Sequence, residues 1–382
     1  IRPFCVATAA AITTVIGTSF TPDGTAHSAN TGELYTRNVI LVTVDGLRWE
    51  ELFTGPDASI LGNNQYSGID YGEYVEAARK AYVRATSEDS RAALMPFFWN
   101  ELSRNGVVLG NRLKGSTAHV KNDQWFSAPG YIEILTGEPH ADVVSNDNIR
   151  YPYPSFMEYA KQALGLGFTD MATIGSWEGF GTLSSSREGF FFTNAGHEPV
   201  PEEFATERMQ WLGGIQFDIM TLYPEGRSDA VTFGMAEEYL RKFRPRVLYI
   251  AFGESDDWAH QRRYDRYLDY IHTLDGYLRR LWGLLQSMDQ YHDRTTLIIT
   301  TDHGRGALAD WVEHDAKIEG SQYIWIAVVG PDTPDLEEVG PYQTVTQSDL
   351  AATALTLLGL DWRKFNPNAG PPIPAAIGGT NQ

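Results

Sequence analysis

Three carboxylates and two histidines stand just after apolar runs in this 382-residue chain. Asp45 closes the run Asn38-Val39-Ile40-Leu41-Val42-Thr43-Val44 and is followed by Gly46. Asp302-His303-Gly304 closes Thr296-Leu297-Ile298-Ile299-Thr300-Thr301. Asp256 and His260 come shortly after Arg246-Val247-Leu248-Tyr249-Ile250-Ala251-Phe252. Carboxylates gathered at one point repel unless a cation lies between them, and mixed Asp/His ligation without cysteine is the chemistry of a catalytic zinc. Asp256 and His260 are four residues apart and share a face if the segment is helical. His314 lies just beyond and could complete a second set. Plainer readings exist: Asp45 caps a turn, Asp-His-Gly forms one, and Asp256/His260 is a solvated helix face. The same arrangement at three strand ends favours the metal.

A nucleophile is offered by Ser127, in Trp125-Phe126-Ser127-Ala128-Pro129-Gly130-Tyr131-Ile132-Glu133-Ile134-Leu135-Thr136-Gly137. A serine ahead of a proline that opens a helix places its hydroxyl near free backbone N–H groups and the positive end of the dipole, where an anion is favoured. A neighbouring metal would lower the hydroxyl pKa and supply the alkoxide that a free serine lacks at neutral pH. Alternatively, Ser127 only caps this helix.

The elements that must position these residues are legible as alternation. Unbroken apolar runs at Asn38–Val44, Arg246–Phe252, Thr296–Thr301 and Tyr323–Val329 read as strands buried on both faces. Met171–Gly175 and Val107–Asn111 are further strand candidates. Between them lie helical patterns at Leu94–Asn105, Ser228–Phe243, Tyr264–Met288 and Gln347–Leu358. In Tyr264–Met288 the stripe is Leu268, Ile271, Leu274, Leu278, Leu281 and Leu285. This order implies an α/β fold with a mostly parallel central sheet and helices on both faces. Such sheets bind ligands at the carboxyl ends of their strands, where the acids stand. Asn63–Asp89 reads as an excursion and loop, residues 149–227 as core elements mixed with a smaller cap insertion over the site, and the tail from Asn366 as an extended surface segment.

Hydrophobic residues make up 42% of the chain, enough for a large core. With 49 Asp+Glu against 30 Lys+Arg, the formal net charge of −19 excludes nucleic-acid binding as a main function. Cys5 is the single cysteine, so no intramolecular disulfide or thiolate metal site forms. The basic start and short apolar run within residues 1–29 read as a signal peptide or N-terminal arm ahead of a catalytic domain at 30–382, and imply a periplasmic or secreted protein. No stretch reads as an integral membrane segment.

Together the blocks Val-Thr-Val-Asp45-Gly46, Phe-Ser127-Ala-Pro129-Gly-Tyr-Ile-Glu-Ile-Leu-Thr136-Gly137, Asp256-Asp-Trp-Ala-His260, Thr-Thr-Asp302-His303-Gly304 and His314 resemble the alkaline phosphatase superfamily, nearest its nucleotide pyrophosphatase/phosphodiesterase-like branch. Thr344–Leu355 resembles that family's closing helix. The resemblance implies two Zn2+ ions, with another divalent cation as an alternative. One set would be Asp45, Ser127, Asp302 and His303, the other Asp256, His260 and His314. It also implies in-line attack by Ser127, a covalent phosphoserine intermediate, and a small phosphate ester as substrate. Asn146, or by spacing Asn148, corresponds to the branch's phosphate-binding asparagine.

The branch's usual Thr-Phe-Pro-Asn is here Ser127-Ala128-Pro129-Gly130, so the branch's substrate range does not carry over. Sulfatases carry Cys or Ser followed by x-Pro-x-Arg, and position 131 is Tyr rather than Arg, which argues against formylglycine and sulfate esters. The reading leans to phosphomonoesters, with Arg112, Lys114, Lys121 and Arg150 as cations that could hold a dianion. An apolar pocket of Trp125, Tyr131 or Trp177 would favour diesters instead. Mutase-type phosphotransfer and a catalytically dead binding protein are the remaining alternatives.

Overall fold

The computed structural model describes residues 34–341 and 344–378. The signal-like segment and Cys5 lie outside the described residues.

The strands, in chain order, are β1 (Asn38–Val44), β2 (Gly106–Leu109), β3 (Ala118–His119), β4 (Met171–Gly175), β5 (Phe192–Ala195), β6 (Val247–Phe252), β7 (Thr295–Thr300), β8 (Tyr323–Ile324), β9 (Ile326–Val329), β10 (Glu337–Glu338) and β11 (Val345–Thr346). Eight form one sheet in the order β10-β2-β9-β7-β1-β6-β4-β5, and β11-β3-β8 form a small second sheet. β1 runs parallel to both its neighbours, β6 and β7, and β4 and β5 continue the parallel half. Among the described strands of the eight-stranded sheet, only β9 runs against the rest, antiparallel to its neighbours β7 and β2. The fold is therefore the expected α/β architecture with a mostly parallel sheet.

All seven residues of β1 are buried, as an unbroken apolar run requires. Because side chains alternate along a strand, Ile40, Val42 and Val44 enter one core while Val39 and Leu41 enter another. Helices Asp229–Phe243 and Tyr264–Ser287 cover the first face, and the expected stripe of Tyr264–Ser287 is buried throughout. Ser127–Thr136 and Asp349–Leu357 cover the second.

Four expectations change. Asn63–Asp89 contains helices Asn64–Ser67 and Gly72–Tyr82 and the start of Ser87–Leu94. The side chains of Asn63 and Thr86 cap two of their starts. The helix expected over Leu94–Asn105 is broken: Pro96 follows the end at Leu94, and the Asp275 carboxylate takes the N–H groups of Phe97 and Phe98 at 2.9 and 2.7 Å. A wide turn, Phe98–Leu102, then completes the segment with Ser103–Asn105. The run Tyr323–Val329 splits at Trp325, whose buried ring donates Nε1–H to the Leu47 carbonyl, so β8 and β9 join different sheets. The tail is not a surface strip: Ile373 and Ala376 are buried, and Gly370 N–H bonds to Gly137 O at 3.0 Å.

Within 149–227, β4 and β5 extend the main sheet. The irregular stretch after β5 approaches helix Glu254–His260, with the Tyr223 hydroxyl 3.3 Å from Gln261 Nε2. Among the described residues no helix is long and apolar enough to cross a membrane.

Candidate active site

Parallel pairing sets the strand ends side by side. Val44 is opposite Phe252 and Thr43 opposite Thr300, so the residues that leave β6, β1 and β7 emerge on one rim. Asp45, Asp256 and Asp302 stand there, as expected.

His303 organises the buried half. Its Nδ1 is 2.9 Å from the Gly304 carbonyl, which can only accept, so Nδ1 carries a hydrogen and Nε2 is the ring atom left to hold either a second proton or a cation. That Nε2 faces Asp45 Oδ1 at 3.2 Å, Asp302 Oδ2 at 3.5 Å and Asp256 Oδ1 at 3.9 Å. Asp45 Oδ1, Asp302 Oδ2 and His303 Nε2 are all buried with no hydrogen-bond partner among the described residues. Lone pairs facing one another at this range repel unless a proton or a cation lies among them. The donor set of Asp45, Asp302 and His303 is close enough to surround one ion. The other oxygens are held from outside: Tyr131 OH donates to Asp45 Oδ2 at 2.9 Å and Gly46 N–H to Asp302 Oδ1 at 3.0 Å. Gly46 has φ 57°, and a Cβ there would stand 2.8 Å from Arg305 Nε and 2.9 Å from Asp256 Oδ1, so only glycine fits the turn.

Asp256, His260 and His314 gather beside this set. His260 Nε2 is 3.2 Å from Asp256 Oδ2 and 3.1 Å from His314 Nε2, and His314 Nε2 is 3.7 Å from Asp256 Oδ1. The His314 ring stacks on His303, with centroids 4.0 Å apart. The Asp256 and His260 side chains are 16% and 26% exposed, whereas Asp302 and His303 are fully buried, so the second set forms the outer half. Helix Glu254–His260 is anchored by buried Asp229, which accepts Gly253 N–H at 3.0 Å and Glu254 N–H at 2.9 Å.

Ser127 begins a helix in which all ten residues are buried. The approach is tight because residue 130 is glycine: a Cβ there would lie 2.4 Å from the Asp302 carbonyl oxygen. Buried Glu133 takes the backbone N–H groups of Lys121, Asn122 and Ser348 and the side chains of Asn122 and Ser348. Asn122 in turn accepts from Gln124 N and Trp125 N at 3.0 Å and holds Trp125 at φ 57°, a conformation a bulky residue rarely adopts. That turn delivers Ser127, which is itself buried.

The charges follow the burial. Burial, reinforced by Asp45, pushes Asp302 up to about 8. Burial acts to lower His303, but Asp302 and Asp45 hold it up at about 9. His260 and His314 are lowered, first by burial and then by the neighbouring His303 charge.

The chain matches the family described as type I phosphodiesterase / nucleotide pyrophosphatase over residues 75–341, more than two thirds of its length. It belongs to that family. The matched stretch contains Ser127, Asp256, His260, Asp302, His303 and His314, while Asp45 lies ahead of it. The phosphodiesterase family sits within the alkaline phosphatase superfamily, whose members are metal-dependent, and the chain is a phosphoric ester hydrolase. The fold is similar to the phosphonate monoester hydrolase of Agrobacterium radiobacter, with a TM-score of 0.54, 13% identity, and 91% of this chain and 78% of that one covered. The phosphonate monoester hydrolase SpPMH from Silicibacter pomeroyi gives 0.54 at 12% identity, with 91% and 78% covered. The lipoteichoic acid synthase LtaP from Listeria monocytogenes gives 0.51 at 12%, with 85% and 72% covered. At these identities the likeness is one of fold. No curated protein matches the sequence.

In this phosphodiesterase-family chain Asn146 lies beside the nucleophile candidate, its Oδ1 accepting Ala128 N–H at 2.9 Å. Asn148 instead accepts the Thr182 hydroxyl at 2.7 Å. The cations expected for a dianion are engaged elsewhere. Arg112 stacks on Tyr323 at 3.4 Å, Lys114 pairs with Glu338 at 2.8 Å, and Arg150 donates to the carbonyls of Ser185 and Gly181. The Lys121 side chain is exposed. Of the three aromatics that a diester pocket could use, Tyr131 is fully buried on Asp45 and so lines no open pocket. Sequence reasoning missed Arg305, which is buried and donates to Gly46 O, Val312 O and Asp256. It also missed Gln347, which donates to the carbonyls of Thr301 and Asp302. No spacing rule marks either residue.

Proposed function

We propose that this chain hydrolyses phosphate esters with Ser127 as nucleophile, and that Asp45, Ser127, Asp302 and His303 hold one divalent cation while Asp256, His260 and His314 hold a second. The observation that carries the reading is the convergence of the unpartnered Asp45 Oδ1, Asp302 Oδ2 and His303 Nε2. Oxygen and imidazole donors without thiolate favour zinc. Bound cations would neutralise phosphoryl charge and lower the hydroxyl pKa.

The chain's own residues do the rest. The helix N-terminus sets Ser127 at the positive end of a dipole. Asn146, its Oδ1 occupied by Ala128 N–H, keeps its Nδ2 group for a phosphoryl oxygen. A Ser127 Oγ–P bond forms as the P–O bond to the leaving group breaks, and the departing oxygen takes a proton. Water then attacks phosphorus, the Oγ–P bond breaks, and a proton from that water restores the Ser127 hydroxyl. The substrate class is diester or pyrophosphate rather than monoester, because three of the four candidate cations, Arg112, Lys114 and Arg150, are committed to other partners and the fourth, Lys121, turns to the surface. A dianionic monoester needs such a cation more than a monoanionic diester does.

Turnover of bis-p-nitrophenyl phosphate against p-nitrophenyl phosphate by the zinc-loaded protein tests this, with Ser127→Ala as control. Diester turnover should dominate and fall at least about a thousandfold in the variant. Dominant monoester turnover would overturn the substrate class, and turnover that survives Ser127→Ala would overturn the nucleophile.

A further inference from the structure

Arg305 is a buried cation placed among the acids and imidazoles proposed to hold cations. Each of its three guanidinium nitrogens donates a hydrogen bond. Nε donates to Gly46 O at 3.2 Å, Nη1 to Val312 O at 2.7 Å, and Nη2 to the carbonyl and Oδ1 of Asp256. These partners come from three separate segments: the turn after β1 that follows Asp45, the helix that carries Asp256 and His260, and the loop that carries His314. One side chain thus fixes the spacing between the two ligand sets.

It also treats the sets unequally. Asp45 and Asp302 each keep one buried oxygen with no partner, whereas Asp256 gives Oδ1 to the guanidinium and Oδ2 lies 3.2 Å from His260. A fixed positive charge against the Asp256 carboxylate repels an incoming dication and occupies a lone pair the dication would use. The outer set is more exposed as well, which screens its attraction for a cation.

We infer that Arg305 is a positioning residue that divides the centre into a tight inner position at Asp45, Asp302 and His303 and a weaker, exchangeable outer position at Asp256, His260 and His314. The inference rests on the two-cation reading above. It gives the enzyme a second metal that follows the free concentration of divalent cation while the first stays bound.

The test is a Zn2+ titration of the metal-stripped full chain, read by calorimetry and by competition with a chromophoric chelator, for wild type, Arg305→Lys and Arg305→Met. Wild type should show two classes of binding at least tenfold apart. Arg305→Lys keeps the charge and should keep the gap. Arg305→Met should tighten the weaker class at least tenfold and leave the tighter class within threefold. A merely structural role for Arg305 would weaken both classes together and would overturn the inference. Should Arg305→Met fail to fold, Asp256→Asn separates the readings: it should abolish the weaker class alone, and loss of the tighter class contradicts the assignment. Two equal classes in wild type overturn the inference and leave the two-cation reading intact. A folded wild type that takes up no Zn2+ overturns both.

Discussion

Tyr131 donates its hydroxyl to Asp45 Oδ2 at 2.9 Å and leaves Oδ1 of the same carboxylate facing His303. This single contact decides which oxygen of Asp45 looks into the centre. It also explains why position 131, where a sulfatase would carry arginine, holds an aromatic alcohol. The residue is oriented towards the Asp45 carboxylate, proposed above to hold a cation. Tyr131→Phe strips the donor from a carboxylate that is 7% exposed. The expected cost is about 1–3 kcal/mol of stability. Urea unfolding measures it, and an unchanged midpoint would contradict the role.

Gly130 is predicted to be intolerant of even one carbon. A Cβ would sit 2.4 Å from the Asp302 carbonyl oxygen, a backbone atom that cannot swing aside. Gly130→Ala should therefore lift the helix off the end of β7 and cost about 1–3 kcal/mol despite alanine's better helix propensity. A melting temperature at or above wild type would show that the helix packs less closely than described.

The two asparagines should behave differently. Asn146 touches the backbone next to Ser127, while Asn148 accepts from Thr182. Asn146→Ala is expected to lower kcat/KM about tenfold or more, within the range for one lost charge-assisted hydrogen bond. Asn148→Ala should leave it within about twofold. Equal losses would move the phosphate contact away from Asn146.

The pH dependence of the metal-free protein follows from Asp302 and His303. Their ordinary values are 3.8 and 6.5, and in the folded chain they are held up to about 8 and about 9. The folded state therefore binds more protons than the unfolded state over this span, so stability falls as pH rises through it. This contribution is fully present at acid pH and is gone once pH exceeds about 9. Melting temperature without metal should decline from pH 5 to 9, and saturating Zn2+, which displaces those protons, should flatten the decline. A metal-free melting curve that climbs over the same window would refute the assignment.

Most of the architecture was legible because β1, β6 and β7 are unbroken apolar runs, a pattern that only a strand buried on both faces explains. Their acids were legible by position at the strand ends. Other features depend on which partner the fold supplies. The short helices within Asn63–Asp89 carry no long apolar stripe, and capping side chains set two of their starts. The break at Trp325 reflects an indole bonded to Leu47 O, a residue far away in sequence. Arg305 drew no reading from the sequence and Tyr131 was only one of three conditional pocket residues, yet each is buried against a carboxylate of the centre.

β1 occupies the middle of the sheet, yet it is the first strand of the described chain, and the strands that flank it begin only at Val247 and Thr295. During synthesis this fully buried strand leaves the ribosome long before either neighbour exists. Its two edges stay open through much of translation, which invites mispairing with other chains. The centre itself cannot assemble early, because Asp45 meets Asp302 and His303 only after β7 has docked. Under the two-cation proposal, cation binding therefore reports a late stage of folding, and divalent ions can stabilise only chains that have already docked β7.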